Sequence, residues 1–178
     1  MKKYQIIYAD PPWQYDFVAK KENAIESHYP TMTQDELKAL QIPTTDNAVL
    51  FLWATAPKLL EAIDVLKAWG FTYKTQAVWD KDRTGLGYWF LGQHELLLVG
   101  TKGKFSPPEP KHRRSSVFKT YRAKHSKKPA TVRMWIADSF PEHTKLELFC
   151  RKEDMLFDSD GFEGWDVWGN EVESDIEL

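Results

Sequence analysis

The sequence has almost no cysteine and no long apolar run. Its single cysteine, Cys150, excludes an internal disulfide and a cysteine-based zinc site. No segment approaches the roughly 20 consecutive apolar residues that a membrane-spanning helix needs. The N-terminal lysines lead into a strand-like segment, which is not the pattern of a signal peptide. We therefore expect a cytoplasmic protein that uses neither a membrane nor a bound metal.

The sequence also lacks a glycine-rich dinucleotide fingerprint. Three glycines, Gly85, Gly87 and Gly92, fall within one segment, 80–92. Their spacing differs from the Rossmann G-x-G-x-x-G pattern, and no helix-like segment follows them. We read this segment as a long loop between two strands.

Length and composition are those of one globular domain. The chain has 178 residues, 42% of them hydrophobic, and a formal net charge of −2. We expect a single domain over residues 1–178, in which the acidic end, 172–178, is partly disordered.

Charges of the two signs are separated along the chain. Residues 102–128, which we call the basic segment, hold ten Lys or Arg and one acid, whereas ten acids and no Lys or Arg follow Lys152. We read the basic segment as an insertion-like loop. It is a candidate surface for nucleic-acid phosphates, and a merely solvated loop is the alternative. The side chains proposed for phosphate contacts are Lys111, Arg113, Arg114, Lys119 and Arg122.

The stretch from Tyr4 to Trp13 organises the rest of the sequence. A short apolar run ends at Asp10, and Pro11, Pro12 and Trp13 follow it. Proline cannot donate to a sheet ladder and pushes the preceding residue toward an extended conformation, so a strand must end here. In open α/β sheets this carboxyl edge is where ligands bind.

These residues suit chemistry on the 6-amino group of adenine, which is a poor nucleophile because its lone pair is delocalised into the ring. A carboxylate at Asp10 and the rigid carbonyl of Pro11 can accept its two N–H groups and free the lone pair. Trp13 offers a face for a flipped-out base. The alternative is an ordinary Pro-Pro turn with Asp10 as a cap.

Strand-like and helix-like segments alternate along the chain, which predicts an α/β fold with a doubly wound, mostly parallel sheet. Helices are expected after Thr33, which begins a capping box, after Pro57, and from Ser126 or Pro129 to about Phe140. Strands are expected near 4–9, 48–53, 71–79, 95–101 and 145–150, and a Trp- and Gly-rich loop at 161–170.

Asp10-Pro11-Pro12-Trp13 resembles the signature of the DPPW-type (MT-A) family of adenine N(6)-methyltransferases, which has many bacterial and phage members. Similar stretches follow in the family's order over nearly the whole chain: 28–33, 50–53, 125–129, 146–151 and 168–171. The resemblance implies a Rossmann-like methyltransferase fold with an antiparallel edge strand and a circularly permuted motif order. It also implies S-adenosyl-L-methionine as the cofactor and a bacterial or phage-infected cell as the setting.

The resemblance further implies which residues serve the site. Asp10, Pro11, Pro12 and Trp13 would be catalytic, and Trp13 and Tyr29 would contact the substrate base. Ser126 and Lys128 stand at a predicted helix N-terminus, where an anion such as the cofactor's carboxylate is favoured. The full set expected to bind the cofactor is Asp10, Ser126, Lys128, Phe149, Arg151, Asn170 and Glu171.

Three functions remain open at this point. The favoured one is methylation of adenine in DNA, and the first alternative is the same reaction on RNA. The second alternative is an inactive nucleic-acid-binding partner with the same fold, although such partners typically lose the acidic tetrapeptide that is intact here. The sequence leaves the recognition motif, the strandedness and the oligomeric state undetermined.

Overall fold

The structure, a computed structural model, describes residues 2–15, 30–87, 89–120, 127–152 and 161–178. Within these ranges it has a seven-stranded sheet and three α-helices. The strands are β1 (Tyr4–Ala9), β2 (Thr44–Ala54), β3 (Thr72–Asp80), β4 (His94–Lys102), β5 (Val117–Lys119), β6 (Lys145–Leu148) and β7 (Trp165–Trp168). The helices are α1 (Gln34–Ala39), α2 (Leu59–Ala68) and α3 (Ala130–Ser139).

The sheet is mostly parallel, as the sequence predicts. Its order is β5-β3-β4-β2-β1-β6-β7, and β4 runs antiparallel to both of its neighbours, β2 and β3. The family resemblance implies an antiparallel strand at an edge of the sheet. The antiparallel strand, β4, lies inside the sheet instead, because β3 pairs with its outer side and β5 adds in parallel beyond β3. The expected Rossmann-like architecture is otherwise confirmed.

Strand β1 occupies the middle of the parallel part of the sheet. It pairs with β2 on one side and β6 on the other, so Ile7 faces Leu50 in one ladder and Leu146 in the next. Ile6, Ile7 and Ala9 have no exposed surface. Such a strand, covered on both faces, explains the unbroken apolar run in the sequence.

The helices begin and end at residues that the sequence marks. At the start of α1, Thr33 and Glu36 form both bonds of the expected capping box. After α2, Gly70 adopts a φ of 84°, which only glycine reaches without strain. Helix α3 begins at Ala130, directly after Pro129.

The two faces of the sheet are covered separately. One apolar cluster lies on the α1 and α2 side and includes Ile7, Leu50 and Leu66. The other lies on the α3 side and includes Trp53 and Ile136. Helices on both faces are what a doubly wound sheet requires.

Two short strands lie where the sequence predicts loops, and these two predictions were wrong. Strand β5 lies within the basic segment and pairs with the end of β3. Strand β7 lies in the segment read as a Trp- and Gly-rich loop, and it pairs in parallel with β6. Each has at most four residues, which is too short for alternation to stand out. Beyond β7, the backbone N–H of Asp175 donates to the carbonyl of Val167 at 2.9 Å.

In the part of the chain that the structure describes, no helix is long and apolar enough to cross a lipid bilayer.

Candidate active site

Asp10 lies directly after β1, at the carboxyl edge of the sheet. Pro11 and Pro12 end the strand, and a tight turn follows in which the backbone N–H of Trp13 donates to the carbonyl of Pro11 at 2.9 Å. A carbonyl oxygen has two lone pairs, so this bond leaves one for a ligand. The turn is fixed again where the backbone N–H of Met32 donates to the carbonyl of Pro12 at 2.9 Å. The predicted position of Asp10 is therefore what the structure shows.

Asp10 is the end of a chain of alternating charges. The ammonium of Lys128 lies 2.7 Å from Asp10 Oδ2 and 3.3 Å from Glu95 Oε2. The other oxygen of Glu95, Oε1, lies 3.2 Å from the ammonium of Lys81. The side chains of Lys128 and Glu95 are 12% and 8% exposed, whereas that of Asp10 keeps 24%. Of these three groups Asp10 is the most open to a ligand.

The charges in this cluster hold one another ionised to different degrees. Burial raises the pKa of Asp10, and the attraction of Lys128 offsets only part of that rise. Burial also opposes ionisation of Glu95, but the two ammonium groups beside it outweigh burial and hold its pKa below the ordinary value. Lys128 is affected in the same way: burial disfavours its charge, and the two carboxylates overcome this and raise its pKa. Asp10 is therefore the more basic of the two carboxylates, as suits a proton acceptor.

Aromatic side chains form the wall behind Asp10. The indole N–H of Trp13 donates to the carbonyl of Trp53 at 3.1 Å, and that of Trp53 donates to the hydroxyl of Tyr8 at 2.7 Å. The ammonium of Lys128 lies 5.7 Å from the centre of the Trp53 ring. The Trp13 side chain is only 7% exposed, and its hydrogen bond to the carbonyl of Trp53 fixes the turn that follows Asp10. Its role in stacking on a base stays a prediction.

Four of the residues expected to bind the cofactor follow the neighbouring strands β6 and β7: Phe149, Arg151, Asn170 and Glu171. Phe149 has a φ of 62°, which is a strained backbone value for a large residue. Its ring packs edge-on against the ring of Trp168, with the two ring centres 5.4 Å apart. A Cβ on Gly169 would lie 2.2 Å from the carbonyl oxygen of Cys150, so the two chain segments touch there. This close approach brings Arg151 and Asn170 to the same edge as Asp10.

Arg151 also acts on Asp10 electrostatically, because its positive charge is among the influences that lower the pKa of that carboxyl. Asn170 and Glu171 are exposed and follow the carboxyl end of β7. Ser126, Tyr29 and Arg122 lie outside the described residues, as do His125 and most of the segment 14–29.

The basic segment is divided between the two edges of the sheet. Lys119 lies at the active-site edge, where β5 ends and where its ammonium pairs with Asp82. Lys111 pairs with Glu109 and lines a groove that also includes Gln5 and Asn47, near the beginnings of β1 and β2 at the opposite edge. Arg113 and Arg114 are exposed between them along the chain. These side chains therefore do not form one compact patch.

Sequence reasoning missed Glu95 and Lys81. The signal was present for Glu95, because a carboxylate stands in an otherwise apolar strand, His-Glu-Leu-Leu-Leu-Val. A buried acid needs a partner. Nothing in the local pattern identifies Lys128 as that partner, since the two are brought together only by the fold. No group of three or more His, Cys, Asp or Glu within the described ranges could hold a metal ion.

Comparison with known proteins gives the same reading. The chain is 39% identical to the type II methyltransferase M.MunI of a Mycoplasma species, over 96% of this chain and 78% of that protein. It is 28% identical to a putative N(6)-adenosine-methyltransferase MT-A70-like protein of Medicago truncatula and 29% identical to the N(6)-adenosine-methyltransferase subunit METTL3 of Danio rerio. It spans 26% and 28% of the lengths of those two proteins, respectively.

The family model described as MT-A70 matches residues 4–171, from the first residue of β1 to the acid that follows Asn170. That range includes the Asp10 turn, the charge cluster and both strands next to the expected cofactor site. The chain belongs to the MT-A70 family of methyltransferases.

Proposed function

We propose that the protein transfers a methyl group from S-adenosyl-L-methionine to the 6-amino group of adenine in DNA. The observation that carries this proposal is the position of Asp10. Its carboxylate is the partly exposed end of a buried charge cluster, and it follows a strand at the edge where α/β proteins bind ligands. The carbonyl of Pro11, the next residue, is fixed by the tight turn.

This arrangement can activate an aromatic amine. Asp10 accepts one N–H of the amine and the remaining lone pair of the Pro11 carbonyl accepts the other, which draws the nitrogen toward a tetrahedral geometry. The freed lone pair can then bond to the electrophilic methyl carbon that S-adenosyl-L-methionine would supply, with the cofactor's sulfur as the leaving group. The proton released by the nitrogen passes to Asp10, whose pKa burial has raised. Groups preorganised in this way typically contribute a hundredfold or more, roughly, in rate.

The residues beside Asp10 fit the cofactor's chemistry. Lys128 and Arg151 supply positive charge for a carboxylate, and Asn170 supplies an amide for hydroxyl or carboxylate oxygens. The close approach of Gly169 to the backbone of Cys150 holds the ends of β6 and β7 together, so that Arg151 and Asn170 follow two joined strand ends. When bound, S-adenosyl-L-methionine supplies the electrophilic methyl group. We propose these residues as its binding set, together with Asp10 and the other positions that the sequence predicts, Ser126 and Glu171.

DNA is the proposed polymer because the chain matches 78% of the length of M.MunI, which is a type II methyltransferase. RNA is the alternative substrate, since other relatives are described as N(6)-adenosine-methyltransferases. The intact Asp10-Pro11-Pro12-Trp13 stretch disfavours an inactive binding partner, because such partners typically lose it. We also propose a cytoplasmic location in a bacterial or phage-infected cell.

The test is the transfer of tritiated methyl groups from S-adenosyl-L-methionine to plasmid DNA and to RNA in parallel, followed by nucleoside analysis. We expect label in N(6)-methyladenine from DNA and none from the Asp10→Asn variant, which keeps the size of the side chain but cannot accept the proton. If label appears only in RNA, RNA and not DNA is the substrate. The proposal would be overturned if the wild-type protein labels neither polymer. It would also be overturned if the wild type and Asp10→Asn produce equal label.

A further inference from the structure

The loop between β3 and β4 exposes a group of large apolar side chains at the active-site edge. Leu86, Trp89 and Phe90 are 96%, 94% and 87% exposed, and Leu91 is 61% exposed. Residues 84–92 include no charged side chain, and we call the described part of this segment, 84–87 and 89–92, the apolar tip. Soluble proteins seldom leave contiguous apolar surface of this kind in water unless it contacts something.

The apolar tip projects from a narrow, closed neck. The backbone N–H of Gly85 donates to the carbonyl of Gly92 at 2.7 Å, and that of Lys81 donates to the carbonyl of Gln93 at 2.9 Å. A Cβ on Gly87 would lie 1.9 Å from the carbonyl oxygen of Phe90, so the two branches of the loop touch. The glycines thus allow a thin projection whose end is apolar.

The neck is connected to the catalytic carboxylate through charged contacts. Lys81, in the neck, pairs with Glu95, and Glu95 shares the ammonium of Lys128 with Asp10. Lys119, from the basic segment, pairs with Asp82 on the other side of the neck. The neck that carries the apolar tip is therefore linked to Asp10 by a series of three ion pairs and to the basic segment by a fourth.

We propose that the apolar tip is a wedge that enters the base stack of double-stranded DNA next to the target adenine, with Trp89 and Phe90 as the inserted side chains. This proposal rests on the proposed function. A base in a duplex must leave the stack before its amino group can reach Asp10. Apolar side chains inserted at a base step compensate for the disrupted stacking.

The surroundings favour DNA over a protein partner. An uncharged, aromatic end suits the interior of the base stack. The exposed cations at the neck, Arg83 and Lys119, suit the phosphates on either side. The projection is narrow, whereas a stable protein interface usually buries about 800 Å² on each partner.

The test compares substrates that differ only in the cost of extruding the adenine. Both duplexes carry the target adenine in a sequence that is methylated on the plasmid. In the first, the normal thymine lies opposite the target adenine. In the second, an abasic position replaces that thymine. The variant is Trp89→Ala/Phe90→Ala, and the control is Tyr73→Ala, an exposed aromatic side chain at the start of β3, away from the active-site edge. We expect the variant to lose about tenfold to a hundredfold in kcat/KM on the normal duplex. It should stay within about threefold of the wild type on the abasic duplex, because extrusion there costs less.

A second readout does not require turnover. With 2-aminopurine in place of the target adenine, the wild-type protein should raise the fluorescence of the duplex, and the variant should raise it much less. Equal losses on both duplexes, or an unchanged fluorescence response, would overturn the wedge while leaving the proposed function intact. A wild-type dimer in sedimentation that the variant abolishes would also overturn it, and would make the apolar tip a protein contact. Absence of DNA methylation by the wild type would instead contradict the proposed function.

Discussion

The charge cluster predicts opposite shifts in the pH dependence of methylation for two substitutions. Lys128→Met removes the cation that lies 2.7 Å from Asp10, so ionised Asp10 loses a charge-assisted hydrogen bond. Such a bond is worth about 1.5–3 kcal/mol. At 1.36 kcal/mol per unit this corresponds to a rise of about one to two units in the pKa of Asp10.

The sign of the shift follows from the role proposed for Asp10 as the proton acceptor. Only the ionised carboxylate can accept the proton, so a higher pKa leaves less active enzyme at low pH. The acidic limb of the pH–rate profile should therefore move to higher pH in Lys128→Met. In Glu95→Gln the opposite should occur, because the negative charge of Glu95 is one of the influences that raise the pKa of Asp10. That limb should move to lower pH, by less than about one unit, since Lys128 already screens the two carboxylates from each other.

The assay is single-turnover methylation of DNA from about pH 5 to pH 9, with the cofactor and DNA saturating at every point. Lys127→Met is the matched control, because it removes the adjacent positive charge on the same segment and should leave the limb where it is. Shifts in the same direction for Lys128→Met and Glu95→Gln would refute the electrostatic reasoning. An unmoved limb in both would show that Asp10 is not the group whose ionisation limits the rate.

Three further predictions concern binding and stability. In Lys128→Met the affinity for S-adenosyl-L-methionine should fall about tenfold to a hundredfold by calorimetry, because a carboxylate loses its cation, and an unchanged affinity would mean that the carboxylate binds elsewhere. Arg133→Met should lower the free energy of unfolding, measured in urea, by about 3–5 kcal/mol. The reason is that Glu147 would keep a buried charge but lose the two hydrogen bonds, of 2.5 and 2.9 Å, that Arg133 donates to it. A loss below about 1 kcal/mol would contradict this. Replacing Arg113 and Arg114 by Gln should flatten the log–log salt dependence of DNA affinity by about one unit for each phosphate that an arginine neutralises, and an unchanged slope would mark the basic segment as merely solvated.

The sequence predicts those parts of the structure that local chemistry decides. The end of β1 at Asp10 follows from the two prolines, the start of α1 from the capping box at Thr33, and the end of α2 from Gly70. In each case one or two adjacent residues restrict the backbone or satisfy its hydrogen bonds. The fold class follows from the alternation of such segments.

The parts that it does not predict depend on partners far away in the chain. The edge strand β5 is only three residues long and is stabilised by its pairing with β3, which no local pattern reveals. The link between Glu95 and Asp10 likewise exists only because β4 runs antiparallel beside β2 and brings its first residues to the active-site edge. Composition indicated a basic segment but not that it runs between the two edges of the sheet.

The central position of β1 has a consequence for synthesis on the ribosome. Its two neighbours are made at very different times, because β2 follows soon after, whereas β6 begins only at Lys145. Asp10 and Lys128 are 118 positions apart, which at 5–20 residues per second is a delay of roughly 6–24 s. During that time the nascent chain carries an apolar strand with one unpaired edge, the kind of template on which chains aggregate. The nascent chain thus contains the carboxylate of Asp10 early, but it gains Lys128, the cation that pairs with this carboxylate, only after 118 further residues have been added.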